Sequence, residues 1–186
     1  MKFSQIINLR KKIKPYKIID LEQGTEIWHR WRNEGIGASD APAIMGDNPW
    51  KSASYVMKEK LYGYSTFTND AMQRGKDLEH QARIRYQLVN GIKVRPVCIQ
   101  SNKYEWLRAS LDGLSYNGSS VLEIKCGKKT YHYCKSYDTV PKHYYAQLQH
   151  ILTITGCLLL LCFIKNLVRN NKDIKILQKF IDHLFM

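Results

Sequence analysis

The sequence predicts one α/β domain with a mixed central β-sheet flanked by helices. The longest helical pattern runs from Asp70 to Asn90 and stops at Asn90-Gly91. Strand-like alternation follows it at residues 93–101, 104–111 and 121–126. A long helix followed by a meander of strands is typical of a mixed α/β core, and 186 residues are enough for one such core.

The composition is that of a globular protein with a strong positive charge. The chain has 44% hydrophobic and 24% charged residues, which is ordinary, but its net charge is +13. That excess favours a polyanionic partner, nucleic acid before an anionic membrane surface. The five cysteines include no Cys-x-x-Cys pair, so free thiols in a reducing cytoplasm are expected, or in the nucleus of a eukaryotic host. The apolar segment at residues 151–164 is too short to span a membrane.

Three shorter helices are predicted before the long one. They start at Thr25, at Ser39 or Asp40, and at Ser52, and the second of them ends at residues 48–50. The basic residues 1–20 precede them as an arm, either flexible or as a strand that leads into the sheet.

The last third of the chain begins with a basic and aromatic segment, residues 127–138, predicted as a loop. It could follow a nucleic-acid backbone and stack on bases, or it could be a solvated loop of a basic protein. A helix is expected from Val140-Pro141 to Thr155, closed by Gly156. Residues 157–164 read as one buried strand, and residues 173–185 look helical.

The strongest turn signal in the sequence is Asn117-Gly118, which predicts a two-residue hairpin loop because both residues accept a positive φ. With that turn, Asp112 lies directly opposite Glu123, and their Cβ atoms are about 5 Å apart. Lys125 lies two residues beyond Glu123, so the pleat returns it to the same face. The hairpin therefore gathers two carboxylates and one ammonium group.

Two carboxylates this close repel each other unless a cation lies between them. A hard divalent ion, Mg²⁺ or Mn²⁺, would remove the conflict, and the ammonium group of Lys125 could then orient a water molecule. The alternative is a solvated cluster of charges on a sheet face. Charged residues that alternate with apolar ones inside a central strand argue against it, because burying them without a function is costly.

The sequence from Asp112 to Lys125 resembles the Asp…Glu-x-Lys motif of the PD-(D/E)xK nuclease superfamily. More specifically, Gln-Gly-Thr-Glu-x-Trp-His-x-x-Arg followed by Gly-Ile-Gly-Ala-Ser-Asp is similar to the opening of the lambda-exonuclease family, the YqaJ-type viral recombinases. Arg-Gly-Lys-x-x-Glu and Pro-x-x-Tyr-Tyr-x-Gln-x-Gln-His match further motifs of that family, in its order. The resemblance covers roughly residues 20–156.

The resemblance assigns DNA-phosphate binding to Arg32, Ser39 and Gln147, with Arg30 as a substitute for Arg32 because the spacing differs by one residue. It places Glu79 at the metal site and Gln147 near the scissile bond. Judged from the local pattern alone, each has an ordinary alternative: helix capping with a surface arginine, a helix ion pair of Glu79 with Arg83, and a solvent-facing glutamine.

The family implies a restriction-endonuclease-like core and a Mg²⁺-dependent deoxyribonuclease, with Mn²⁺ as a substitute ion. Asp112, Glu123, the Ile124 carbonyl and Glu79 would hold the metal, and Lys125 would position the water. The resemblance further implies 5′→3′ digestion of double-stranded DNA from its ends, a single-strand annealing protein as partner, and a homotrimer. No membrane association is expected.

Two other function classes remain open from the sequence. One is an endonuclease or junction resolvase with the same core, and the other is a DNA-binding module with weakened catalysis. The second arises because residues 157–186 depart from the family pattern: the strand at 157–164 lacks a hairpin partner, as a truncation or frame change would produce.

Overall fold

A seven-stranded mixed sheet forms the centre of the computed structural model, which describes residues 14–63, 70–164 and 174–177. Its strands lie in the order β1-β3-β4-β5-β6-β7, and β2 pairs with β4. The β2–β4 and β5–β6 pairs are parallel, and the others are antiparallel. The strands are Tyr16–Ile19 (β1), Ile36–Gly37 (β2), Val94–Ser101 (β3), Leu107–Ser115 (β4), Ser120–Cys126 (β5), Leu158–Ile164 (β6) and Ile174–Leu177 (β7).

Six α-helices accompany the sheet in the described part of the chain. They are Glu26–Asn33 (α1), Ala41–Ile44 (α2), Ala53–Tyr62 (α3), Asp70–Asn90 (α4), Lys128–Tyr137 (α5) and Lys142–Thr155 (α6). Helix α4 buries Ala82 and Tyr86 against Leu122 and Ile124 of β5. Helix α6 packs in a separate cluster that includes Val121. Because side chains alternate along β5, these two helices cover opposite faces of the sheet. None of the described helices is both long enough and apolar enough to cross a membrane.

Helix α4 has the limits that the sequence predicted. Gly91 has φ +67°, and its N–H donates to the carbonyl of Gln87 at 2.9 Å, which ends the helix. The cap of α1 is also confirmed, since Thr25 Oγ1 accepts from the N–H of Trp28 at 3.3 Å. Within the predicted arm, Tyr16–Ile19 forms a strand on β3, whereas residues 1–13 lie outside the described residues.

Two helix predictions were wrong. The second helix, expected to reach residues 48–50, ends at Ile44, because the carbonyl of Pro42 accepts from the N–H groups of Asp47 and Asn48 and closes the turn. Residues 127–138, expected as a loop, form α5. Tyr131 and Cys134 lie about one helical turn apart and are buried, so tertiary packing overrides the weak helix propensity of this segment.

The hairpin has the predicted register but not the predicted turn. The β4–β5 pairs are Gly113 with Leu122 and Leu114 with Val121. Extended by one residue, this register places Asp112 opposite Glu123.

The turn itself is a four-residue loop at 116–119 in which Gly118, with φ +70°, has a positive φ and Asn117 does not. Asn117 acts through its side chain, which accepts from the hydroxyl group of Ser115 at 2.8 Å. The loop has the same midpoint as a two-residue turn would have, so the register is unchanged.

The C-terminal strands correct another expectation. Strand β6 pairs along its whole length with β5 and, on its other side, with β7. The strand at 158–164 therefore has the hairpin partner that seemed to be missing. Residues 174–177 are extended rather than helical, and the remainder of the expected helix lies outside the described residues.

Candidate active site

Strand β4 carries a β-bulge at Asp112. The residue pairs that flank the bulge are Val97 with Leu111 and Arg95 with Leu114. Between these pairs β3 has only Pro96, whereas β4 has both Asp112 and Gly113. Proline has no N–H to give to the ladder, which suits a position opposite a bulge. Bulges re-aim side chains beside active sites. Here Asp112 Oδ2 accepts from the backbone N–H of Ile124 at 2.6 Å.

Glu123, Lys125 and Gln147 form a closed triangle of hydrogen bonds. Glu123 Oε1 accepts from Lys125 Nζ at 2.7 Å and from Gln147 Nε2 at 2.6 Å, and Lys125 also donates to Gln147 Oε1 at 3.1 Å. Glu123 is only 2% exposed, and its second oxygen, Oε2, is buried without a hydrogen-bond partner. Strand β5 and helix α6 therefore bring together three residues that the sequence had singled out.

The electrostatics of the cluster favour a bound cation. Burial raises the pKa of Asp112 well above its usual range, and the charges of Glu123 and Glu79 add to this effect. Burial works to lower the pKa of Lys125, but the charges of Glu123 and Asp112 outweigh it, so the pKa is raised and the side chain stays protonated. Burial also raises the pKa of the nearby Cys126 thiol to about 11, which leaves it neutral. The thiol therefore adds no negative charge beside the acidic residues Asp112, Glu123 and Glu79.

Glu79 is held by Arg83 rather than aimed freely at the two carboxylates. Arg83 donates to Glu79 Oε1 at 2.6 Å from a terminal nitrogen. Among the described residues, no three His, Cys, Asp or Glu side chains converge closely enough to hold a metal ion as they stand. The charge of Glu79 acts on Asp112, but Glu79 and the Ile124 carbonyl as further metal ligands stay predictions.

The donor set fits Mg²⁺ or Mn²⁺. The carboxylate of Asp112 and the unpartnered Oε2 of Glu123 are hard oxygen donors, which these ions prefer. An orphaned buried carboxylate oxygen is costly unless something binds it. A cation between these groups would also relieve the repulsion that raises the pKa of Asp112.

A small cavity of about 60 Å³ adjoins the triangle and is lined by the predicted phosphate-binding residues Arg32, Ser39 and Gln147. A terminal nitrogen of Arg32 donates to Ser39 Oγ at 2.7 Å. Gln147 belongs both to this cavity and to the triangle, and so links them. Arg30, the possible substitute, forms an exposed ion pair with Glu26. The structure therefore places Arg32 at the cavity and Arg30 on the exposed side of α1.

Asp40 is buried and holds the side chain of Arg32 by an ion pair. It is 2% exposed and accepts from Arg32 at 3.4 Å, from Lys60 at 2.8 Å and from the N–H of Gly37 at 3.0 Å. Burial works to raise the pKa of Asp40, but the charges of Arg32 and Lys60 outweigh it and leave the pKa below its usual value.

Sequence reasoning missed two residues here. Ser110 lines the cavity, and its signal was its place two residues before Asp112 on one strand. Lys60 gave no local signal, because its contacts with Asp40 and with the carbonyl of Arg32 are long-range. In the segment expected to follow a nucleic-acid backbone and stack on bases, Tyr131 is 3% exposed and packs in the core, whereas Lys128, Lys129, Tyr133 and Lys135 are exposed on α5.

The sheet and its flanking helices define a nuclease fold of the lambda-exonuclease type. A model of the YqaJ-like viral recombinase domain matches residues 27–158, and the chain belongs to that family. The resemblance that the sequence motifs indicated is thereby confirmed.

Solved structures and a curated relative agree with this membership. The alkaline exonuclease LHK-Exo from Laribacter hongkongensis, whose crystal structures include a complex with dAMP, is 26% identical to this chain with a TM-score of 0.68; the match covers 82% of this chain and 80% of that one. The uncharacterized protein YqaJ of Bacillus subtilis is 27% identical over 141 residues, 73% of this chain. The match covers 44% of that relative, so the chain spans less than half of its length.

Proposed function

We propose that this protein is a metal-dependent deoxyribonuclease that digests double-stranded DNA from its ends in the 5′→3′ direction. The observation that carries the proposal is the carboxylate of Asp112, hydrogen-bonded to the N–H of Ile124 across a bulged hairpin, next to Glu123, which has a buried, unpartnered oxygen and a protonated Lys125 beside it. Membership in a family of phage-type recombination exonucleases supports the nuclease class.

The proposed reaction is hydrolysis of a phosphodiester bond. A bond forms between the water oxygen and phosphorus as the water gives up a proton to the solvent, the bond from phosphorus to O3′ breaks, O3′ takes up a proton, and the product keeps a 5′-phosphate. Bound by Asp112 and Glu123, with the Ile124 carbonyl and Glu79 as candidate further ligands, Mg²⁺ or Mn²⁺ would offset the negative charge that develops on the phosphate. Lys125, protonated and hydrogen-bonded to Glu123, is placed to orient the water rather than to remove its proton.

The cavity beside the triangle is the proposed site for the phosphate at the 5′ end. Arg32 offers a charged fork and Ser39 a hydroxyl donor, which together suit a phosphate monoester. Gln147 then connects recognition of the end to the reacting bond. The existence of a dAMP complex of LHK-Exo supports a nucleoside monophosphate as a ligand of this fold.

Partners follow from the family resemblance. A homotrimer that encloses the DNA and a single-strand annealing protein that receives the product strand are proposals on that basis. The net charge of +13 supports the DNA partner itself.

The test is digestion of end-labelled linear duplex with Mg²⁺ and then with EDTA. Nucleotides with a 5′-phosphate are expected with Mg²⁺ and none with EDTA. Asp112→Ala, Glu123→Ala and Lys125→Ala should each abolish cleavage while DNA binding largely survives. Exposed charges elsewhere provide matched controls, Glu105→Ala and Lys103→Ala, which should cut like the wild type.

Circular substrates separate this proposal from its alternatives. An exonuclease that needs an end leaves closed circular DNA intact, whereas an endonuclease cuts it. Mg²⁺-independent binding without any cleavage would identify a DNA-binding module. Full activity in any one of the three catalytic variants would refute the assignment of the site.

A further inference from the structure

An exposed tryptophan lies outside the proposed machinery and is held firmly in place. Trp50 is 79% exposed, the most exposed of the large hydrophobic residues in the described part of the chain. Asn48 Oδ1 accepts from the backbone N–H of Trp50 at 2.8 Å and from that of Lys51 at 3.1 Å, so a built turn fixes the position of the residue.

A line of aromatic rings joins Trp50 to the catalytic lysine. The indole meets the ring of His143 edge-on, with centroids 5.1 Å apart. His143 meets Tyr144 at 4.2 Å, and Lys125 Nζ lies 4.9 Å from the centre of the Tyr144 ring. Burial and the charge of Lys125 lower the pKa of His143, which keeps that ring neutral near pH 7. The aromatic rings between Trp50 and Lys125 are therefore all uncharged.

Trp50 also lines an open groove of about 550 Å³ together with Ile44 and Tyr55, both partly exposed. Ligand pockets usually span about 300–1,000 Å³. Lys51 lies 5.5 Å from the centre of the Tyr55 ring, and its charge is balanced by an ion pair with Glu59. The groove thus offers flat aromatic surfaces on which the bases of single-stranded nucleic acid can stack, in a chain whose net charge is +13.

We propose that Trp50 is a stacking platform for an unpaired base of the DNA strand whose phosphates reach Lys125. This inference rests on the proposed nuclease function and specifies how the site takes hold of a strand. Ring contacts through His143 and Tyr144 lead from Trp50 to the catalytic Lys125, and the chain carries a net charge of +13, so a DNA base fits the groove better than an apolar peptide. Stacking tolerates any base, so the platform selects for unpaired DNA and not for sequence.

The test measures binding of fluorescent oligonucleotides in EDTA, where cleavage does not consume the probe. Trp50→Ala and Trp50→Leu should each weaken binding of single-stranded or overhanging DNA by about tenfold, and should affect blunt duplex less. Trp50→Phe should keep most of the affinity because it keeps a flat ring. Trp106→Ala removes a tryptophan that is 54% exposed elsewhere and should bind like the wild type.

A second readout locates the stacked base. An oligonucleotide that carries 2-aminopurine at one position after another should be quenched by the wild type at a particular position, and Trp50→Ala should lose that quenching. Unchanged affinity and unchanged quenching in Trp50→Ala would overturn the platform even if the protein cuts DNA.

Retained binding in Trp50→Leu would also overturn it, since an apolar docking surface for a protein, rather than a stacking surface, would explain the groove. Failure of the nuclease proposal is distinguishable from both outcomes, because it would appear as no Mg²⁺-dependent cleavage by the wild type.

Discussion

The Nε atom of Arg83 donates a hydrogen bond to the backbone carbonyl of Asp112 at 2.6 Å. A terminal nitrogen of the same guanidinium group holds Glu79, also at 2.6 Å, and the Arg83 side chain is only 11% exposed. Arg83 therefore ties helix α4 to the bulge in β4 and sets where the backbone of Asp112 lies. It touches neither the proposed substrate nor the reacting atoms, and it acts by positioning the two acids.

Replacing Arg83 should weaken the affinity for metal more than it weakens DNA binding. Groups that orient metal ligands typically contribute about 10–100-fold in metal affinity. In Arg83→Ala, the Mg²⁺ concentration that gives half-maximal cleavage should rise by about that factor. Arg83→Lys should recover little, because one ammonium group cannot bridge both acceptors in the fixed geometry of the fork. Gln81→Ala, exposed on the same helix, is the control. An unchanged Mg²⁺ requirement in Arg83→Ala would rule out this positioning role.

Gln147 should be needed for turnover, and Gln149 should not. Gln147 donates to Glu123 and accepts from Lys125, whereas Gln149 lies two residues further on the same helix, away from this triangle. Hydrogen bonds to charged groups contribute about 1.5–3 kcal/mol, so Gln147→Ala should lower kcat/KM by about 10–100-fold. Steady-state digestion of end-labelled duplex by Gln147→Ala and Gln149→Ala measures the difference. Equal effects of the two substitutions would contradict the assignment.

The central part of the site was predictable because it depends on local geometry. The midpoint of the loop at Asn117-Gly118 sets the strand register, and the two-residue period of the pleat then places Glu123 and Lys125 on one face. This held although the type of turn was wrong. The long helix from Asp70 to Asn90 was predictable for a similar reason, since its end signal lies within a few residues.

The rest of the site depends on contacts between distant segments. The bulge at Asp112 is set opposite Pro96 on the neighbouring strand, and that proline was the available signal. The ion pair of Asp40 with Lys60 joins residues from different helical segments, and no local pattern encodes it. The sequence did not predict helix α5, because the burial of Tyr131 and Cys134 decides its conformation and the local helix propensity does not.

Arg32 should govern recognition of 5′-phosphorylated ends. It lines the cavity with Ser39, whereas Arg30, two residues earlier, lies in an exposed pair with Glu26. Arg32→Ala should therefore lose about 10–100-fold in activity on 5′-phosphorylated duplex and much less on 5′-hydroxyl duplex, since a charged hydrogen bond to the phosphate is removed. Arg30→Ala is the matched control and should cut both substrates like the wild type. Equal losses on the two kinds of end in Arg32→Ala would contradict a phosphate-specific role.

Asp40 should give the protein an acid-sensitive contribution to stability. Its pKa in the folded state lies below the usual 3.8, so the folded state favours the ionised form. The resulting stabilisation is fully present above about pH 4 and is lost as the pH falls through the lowered pKa. Asp40→Asn lacks this stabilisation and also leaves the largely buried Lys60 without its anionic partner. The free energy of unfolding should therefore fall by about 3 kcal/mol at pH 7.

Thermal unfolding of wild type and Asp40→Asn across this pH range measures the effect as a difference in Tm. The difference should be largest near pH 7 and should shrink below about pH 4, because the wild type loses the contribution that the variant never had. Other carboxylates titrate in both proteins and cancel in the comparison. Glu26→Gln is the control: its pair with Arg30 is exposed, and such pairs contribute about 0–1 kcal/mol, so its Tm difference should stay small at every pH. A difference between wild type and Asp40→Asn that stays constant down to about pH 3 would show that Asp40 is not held in its ionised form by Arg32 and Lys60.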